Sequence, residues 1–427
     1  MALSHANGKV QWLNAHSIGT QYTISGLSFQ PKAIRVWALG FQLSTDGAVT
    51  TQHANRVVGF CDGALQQRSI AAFDQDAVAT SATGVIARNN CIACTTNGSG
   101  ATGGILRVHQ VNSDGFILEV DATTLSADIT ILWDVWGGSD ITQVVIGDFT
   151  ASGATGDVDY SAAGMTAGAT DQILMLAGCH STAAMNTGTN TDAGFWTGFA
   201  KNGSQQLVYC GNSDDASGGT ADTDAYYQGG ECLAIIPVGG AATTANRATF
   251  SQWNTDGFRL NWLQATTSGQ QNIFMAIKGG SWAAGELSIN GAVLDATTTV
   301  SGLGFTPVGG LLLSGIGQAL TVGDTIGTDI VSMGSFSGLS SSHTGSQRSE
   351  LSNPTQIIQY AEFDEALVKV RSDAAVDYAL EIDNLASGSF RLIVTQTIGT
   401  ASNQWVGFMV FGDAPASNEA LMGQVWM

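Results

Sequence analysis

Charge is scarce in this chain. Asp, Glu, Lys and Arg make up 12% of its 427 residues, against about 25% in an average soluble protein, so the polar surface has to come from Ser, Thr, Asn, Gln and backbone. Proline is scarcer, five in all, and no run approaches the roughly 18 apolar residues of a membrane-spanning helix. The opening MALSHANGKVQW lacks a basic segment followed by an apolar one, so no secretory signal is expected. The few charges are lopsided: 35 acidic against 15 basic residues give a net charge of −20. That sign repels phosphate backbones and anionic headgroups. Nucleic acid is therefore not an expected partner, nor is membrane insertion. The same charge suits a subunit that must stay soluble until it is assembled.

Catalytic signatures are missing too. No Ser has Gly at both −2 and +2, and neither H-E-x-x-H nor a Walker phosphate loop occurs. Gly98-Ser99-Gly100-Ala101-Thr102-Gly103 matches G-x-G-x-x-G. The apolar Ile105-Leu106-Arg107-Val108 that follows reads as a strand, whereas a dinucleotide site needs a helix there, so the glycines read as a loop. Cys91-Ile92-Ala93-Cys94 is a lone C-x-x-C without the second pair that zinc requires. No enzyme and no cofactor are expected.

What the chain has in quantity is glycine, 54 residues, and repetition. Gly26-Leu27-Ser28-Phe29-Gln30-Pro31 returns as Gly302-Leu303-Gly304-Phe305-Thr306-Pro307, at an offset of 302 − 26 = 276, twice 138. A degraded copy, Gly164-Met165-Thr166-Ala167, lies at the midpoint. A second phrase, Gln110-Val111-Asn112-Ser113-Asp114-Gly115-Phe116, returns as Gln252-Trp253-Asn254-Thr255-Asp256-Gly257-Phe258 and weakly as Leu385 to Phe390. An apolar segment follows each time: Ile129 to Gly137, Asn272 to Gly279 and Trp405 to Gly412.

The hydrophobic period inside these phrases is two, as in Phe258, Leu260 and Trp262, so they are half-buried strands. Asp114-Gly115 and Asp256-Gly257 sit between such runs and predict hairpins of type I′, with positive φ at both residues. Units of about 140 residues with eight to ten short strands have the size of a β-sandwich. The predicted fold is all-β: three tandem, jelly-roll-like β-sandwiches over residues 1–140, 141–282 and 283–427, the last with a C-terminal tail from Asp413. Short linkers predict that the units pack together.

The six cysteines, at 61, 91, 94, 179, 210 and 232, share no repeat position and read as reduced, buried hydrophobes made in a cytoplasm. The histidines at 5, 16, 53, 109, 180 and 343 are scattered in the same way. An acidic loop supplies weak calcium candidates, Asp214, Asp215, Asp222 and Asp224, because hard cations take several oxygens from flexible loops; without EF-hand spacing, and with no counterpart in the other units, it reads first as a solvated, Gly-rich loop. Most of the ten tryptophans read as core. Tyr226 and Tyr227 are the candidates for rings that stack on a glycan.

The opening phrase, an alternating strand followed by G-L-x-F-x-P-K-A and an apolar strand, resembles uncharacterised virion proteins of tailed bacteriophages. The likeness covers the starts of the first and third units; in the second, Ala167-Gly168-Ala169 stands where Phe and Pro are expected. It implies a structural role and carries no site residues. The expected function is a bacteriophage virion structural protein, a capsid decoration or a tail or fibre component, made in the host cytoplasm. Its expected partners are capsid or tail subunits, or further copies of itself. The alternative is a lectin-like carbohydrate-binding module for host attachment.

Overall fold

A computed structural model describes residues 3–39, 47–49, 53–75, 82–123, 125, 128–189, 192–212, 223–236, 246–266, 269–315, 328–350, 356–370, 375–398 and 403–413. Among the described residues there is no helix, and every sheet is antiparallel. The all-β expectation holds.

The first repeat contains β1 (Ser4–Trp12), β2 (Gln21–Ile24), β3 (Pro31–Leu39), β4 (Gly47–Val49), β5 (Ala54–Asp62) and β6 (Gln67–Asp74). It continues with β7 (Thr83–Arg88), β8 (Ala93–Thr96), β9 (Thr102–Asn112), β10 (Gly115–Thr123) and β11 (Ile129–Gly137). One sheet has the order β1-β11-β3-β5-β6-β7, the other β2-β10-β9-β8. The chain thus alternates between sheets for three strands and runs two meanders. It then returns β11 between β1 and β3. Strands between 143 and 278, and again between 281 and 413, follow the same path. Ser281 and Trp282 belong to the opening strand of the third repeat, Ser281–Asn290.

The two kinds of sheet differ because their sequences do. Outer strands alternate: Gly156–Ser161 is half-buried or exposed at every second residue. Inner strands do not alternate, and β11 (ITILWDVWG), whose apolar run is interrupted by Thr130 and Asp134, is buried along its whole length, the pattern of a strand covered on both faces. One face of each inner sheet packs on its own outer sheet, giving three private cores around Val36 and Phe116, Leu174 and Phe258, and Leu312 and Phe390. The other faces meet each other. Trp37 and Trp136 from the first repeat, Met175 and Met275 from the second, and Leu311 and Phe411 from the third lie in a single buried cluster.

Edge strands are also shared. β4 leaves the first repeat and pairs with Gln356–Glu362 of the third, Ala48 opposite Tyr360. In the second repeat, the connection at the place corresponding to β4 covers β7: Val85 and Thr189 exchange backbone bonds of 2.9 and 3.0 Å, and the Asn186 N–H donates to the Ala87 carbonyl at 2.7 Å. Each borrowed segment closes an edge that would otherwise expose unpaired N–H and C=O groups.

One glycine recurs because nothing larger fits. Gly59, Gly198 and Gly334 face Val36, Leu176 and Leu312 on the neighbouring inner strand. A Cβ there would lie 1.6, 2.5 and 1.8 Å from the carbonyl oxygens of Ile92, Cys232 and Ala366. Those residues lead into the first outer-sheet strand of each meander. The Asp-Gly hairpins form, but not with the predicted turn. Their central pairs are Ser113-Asp114 and Thr255-Asp256, and neither Gly115 nor Gly257 occupies the left-handed region. A Cβ on them would meet the Ile24 or Tyr160 carbonyl oxygen at 1.9 or 2.4 Å, so these glycines serve close strand approach.

Two outcomes follow from this packing. Differential scanning calorimetry should record one cooperative unfolding transition, because the three inner sheets share a core; three separable transitions would contradict it. Gly59→Ala and Gly334→Ala should each destabilise the protein by about 1–3 kcal/mol, the range for an overpacked core, read from urea midpoints.

Candidate functional site

Of the calcium candidates, Asp214, Asp215 and Asp222 lie outside the described residues. Asp224 is in strand Thr223–Gln228, with its backbone opposite Gly211. Among the described residues no three His, Cys, Asp or Glu side chains converge as a metal site requires. The tyrosine expectation is corrected: Tyr226 is 2% exposed and Tyr227 0%, so neither ring offers a face to a sugar. As strand neighbours they point to opposite faces. Tyr226 enters the second repeat's private core, where burial pushes its hydroxyl up to about 12. The Tyr227 hydroxyl donates to Gln206 Oε1 at 2.8 Å, and Gln206 packs against the site of Gly407 in the third repeat.

The other motifs are structural as well. In the Gly98–Gly103 loop the Asn97 Oδ1 accepts from Ser99 N and Ala101 N, both at 3.0 Å. A Cβ on Gly100 would fall 2.4 Å from the Thr189 backbone carbon; this loop receives the second repeat. All six cysteines are buried and free. The Ser69 hydroxyl lies 3.1 Å from Cys91 Sγ and donates to Cys94 Sγ at 3.3 Å. The histidines do not come together: His5 sits between the first and third repeats, while His109 lies on the outer sheet 3.1 Å from Glu119.

The residues that organise the molecule were not singled out from the sequence. Asp134 and Arg35 are buried ladder partners, with Arg35 Nη1 donating to Asp134 Oδ2 at 3.2 Å. The Trp37 Nε1 donates to the same oxygen at 3.1 Å, and His5 Nε2 stands 3.4 Å from Oδ1. Burial alone raises the Asp134 carboxyl, but the His5 bond and the Arg35 charge outweigh it and hold it below its ordinary value. The corresponding pairs in the other repeats are apolar, Met175 with Met275 and Leu311 with Met409. Across the boundary, Asn7 Nδ2 donates to Ser335 Oγ at 3.2 Å, and the Ser341 hydroxyl donates to Asn7 Oδ1 at 2.6 Å.

Arg56 touches all three repeats. Its Nη2 lies 2.6 Å from Asp74 Oδ2, and its Nη1 donates to the Ala193 carbonyl at 3.1 Å. The Gln347 carboxamide, turned with its oxygen toward the guanidinium, accepts from Nε at 3.0 Å and Nη2 at 2.8 Å. Burial of Asp74 outweighs the Arg56 charge and raises its carboxyl to about 6. The usable signal was a charge interrupting an apolar strand in a chain that has few charges.

A cleft of about 940 Å3 opens at one end of the first sandwich, between β5 and β6 on one side and the β8–β9 turn on the other. The Phe73 ring stands edge-on to His53, centroids 5.5 Å apart. Asn55, Gln75, Asn97 and Thr102 line the rest, and among the described residues no Asp, Glu, Lys or Arg borders it. Elsewhere, Glu365 accepts from the Thr395 hydroxyl at 2.7 Å. Burial, with Glu381, Asp364 and Glu362 nearby, raises its carboxyl to about 7.

No protein-family model matches the chain, and no curated protein matches it. Among solved structures, the cryo-EM structure of T=1 Penaeus vannamei nodavirus aligns at 11% identity over 65% of this chain and 82% of that one. Its TM-score is 0.16, too low to carry an argument. Among the described residues no helix is long and apolar enough to cross a membrane.

Arg56→Ala should destabilise the protein by about 3–5 kcal/mol, because it strands a buried carboxylate; Arg56→Met with Asp74→Leu should recover most of that loss in the same denaturation assay. Glu365 has a folded pKa above its unfolded one. Its contribution is therefore complete below about 4.5, the ordinary glutamate value, and is lost as pH rises through about 7. The melting temperature of Glu365→Gln should rise relative to the parent across that window and stay level above it; a gap that shrinks with pH would contradict the assignment.

Proposed function

We propose that this chain is a structural protein of a bacteriophage virion, a one-chain equivalent of a trimeric building block that joins capsid or tail subunits through protein contacts. The observation that carries the reading is the single core made by all three inner sheets. A carrier of three independent binding modules has no use for such a core, whereas a body that occupies a position of local threefold symmetry does. The divergence of the repeats fits a setting in which each copy meets a different neighbour.

Exposed apolar tips support a protein-facing role. Ile18, in the β1–β2 turn, is 65% exposed, and Leu294, at 294 − 18 = 276 residues further on and in the corresponding turn of the third repeat, is 55% exposed. Large exposed apolar groups at matched positions suit contact with another protein.

Gold-labelled antibody against the chain should decorate purified phage particles at a fixed position, on the capsid or on the tail. Detection in the infected-cell lysate but never on particles would refute the proposal. Ile18→Ser with Leu294→Ser should fold normally and lower the amount recovered with particles by severalfold, measured by quantitative blotting.

A further inference from the structure

The cleft at the end of the first sandwich lies beside contacts to the other repeats, the Gly98–Gly103 loop against Thr189 and the His53 carbonyl accepting from Gln359 Nε2 at 2.9 Å, and its chemistry is narrow. Among the described residues its border has no charged side chain, although the chain carries a net charge of −20. Its polar groups are carboxamides and hydroxyls. The Gln75 side chain is half-buried and makes no hydrogen bond among the described residues. Asn97 uses only its Oδ1, for Ser99 and Ala101, leaving the amide N–H2 unused. Asn55 likewise accepts from Thr96 N at 3.4 Å through Oδ1 and makes no bond through its amide nitrogen. Three carboxamides with spare donors therefore border one cavity, beside the edge-on His53 and Phe73 rings.

Amides without a protein partner in a concave site are open to a ligand, whose hydroxyl oxygens can take the place of the water that solvates the half-buried Gln75 and the exposed Asn97. A nucleotide, a metal ion or an acidic peptide needs opposite charge, which the described residues of this cleft do not supply. A carboxamide can both donate to and accept from hydroxyl groups. The volume falls within the range of small-molecule sites.

We propose that this cleft binds a neutral polyhydroxylated ligand, a short saccharide, with Gln75, Asn97 and Asn55 donating to its hydroxyl oxygens and the half-buried His53 ring, backed by Phe73, flanking an apolar face of the sugar. The site differs from the tyrosine pair considered from the sequence and does not depend on the virion reading.

The test is an array of neutral oligosaccharides built from glucose, galactose, mannose and N-acetylglucosamine, with sialylated and uronate-bearing glycans alongside, probed with the full chain. Hits are then titrated by calorimetry. A neutral glycan should be retained, with an affinity unchanged from low to high salt. Gln75→Ala removes a side chain that has no protein partner, and Asn97→Asp keeps the loop-forming oxygen while removing the donor. Each should weaken binding by about tenfold, the effect of losing one hydrogen bond to a neutral group. Tyr227→Phe should leave binding unchanged. Retention of no neutral glycan, retention of acidic glycans alone, or full binding by both cleft variants would overturn the proposal. Any of these results leaves the particle-labelling experiment unaffected.

Discussion

An inner sheet that is apolar on both faces cannot be satisfied by its own sandwich. Each repeat covers one face with its four-stranded outer sheet, and the second face remains a surface of Trp, Met, Leu and Ile that water disfavours. Two further copies of the same sheet solve the problem three times at once. The shared cluster is therefore the constraint from which the rest follows. The borrowed edge strands, the crossing glycines and the buried polar groups all accommodate three sheets brought together.

A core made of three related sheets could assemble in more than one order, and apolar contacts alone discriminate poorly between them. The buried charges supply the discrimination. Arg35 and Asp134 occupy in the first repeat the ladder position that Met175 with Met275 and Leu311 with Met409 occupy elsewhere. The neighbouring Asn7 finds its partners Ser335 and Ser341 in the third repeat alone. Arg56 needs the Ala193 carbonyl on one side and Gln347 on the other. A buried ion pair adds little net stability, because desolvation opposes its attraction. A wrong neighbour would leave these groups unpaired, and that penalty is large.

Much of this architecture was legible in the sequence. The 276-residue offset between the two G-L-x-F-x-P phrases and the period-two runs such as Phe258-Leu260-Trp262 identified the repeats and their strands, because outer strands have one wet face. Inner strands carry no such alternation, so the sequence marked them as buried without saying against what. Tyr226 and Tyr227 misled for that reason: adjacent aromatics on an inner strand near an acidic loop look exposed, yet one ring fills the private core and the other an interface between repeats. The hairpin glycines misled because Asp-Gly suggests a turn, while the structure uses the absent Cβ of Gly115 and Gly257 for close approach. Nothing in the order of residues brings Asn55, Gln75 and Asn97 to one cleft; the sandwich does.

The loan of β4 to the third repeat has a consequence for how the chain is made. Ala48 pairs with Tyr360, so 360 − 48 = 312 residues separate a donor strand from its acceptor. A ribosome delivers the donor long before the acceptor exists, and the first repeat must hold its segment open until the third has been translated. Closing a loop of that length costs about 5 kcal/mol in chain entropy, once, inside one molecule. Three separate polypeptides would instead have to find one another, at a rate set by their concentration. Fusion of the repeats makes assembly of this body independent of how many copies a cell contains.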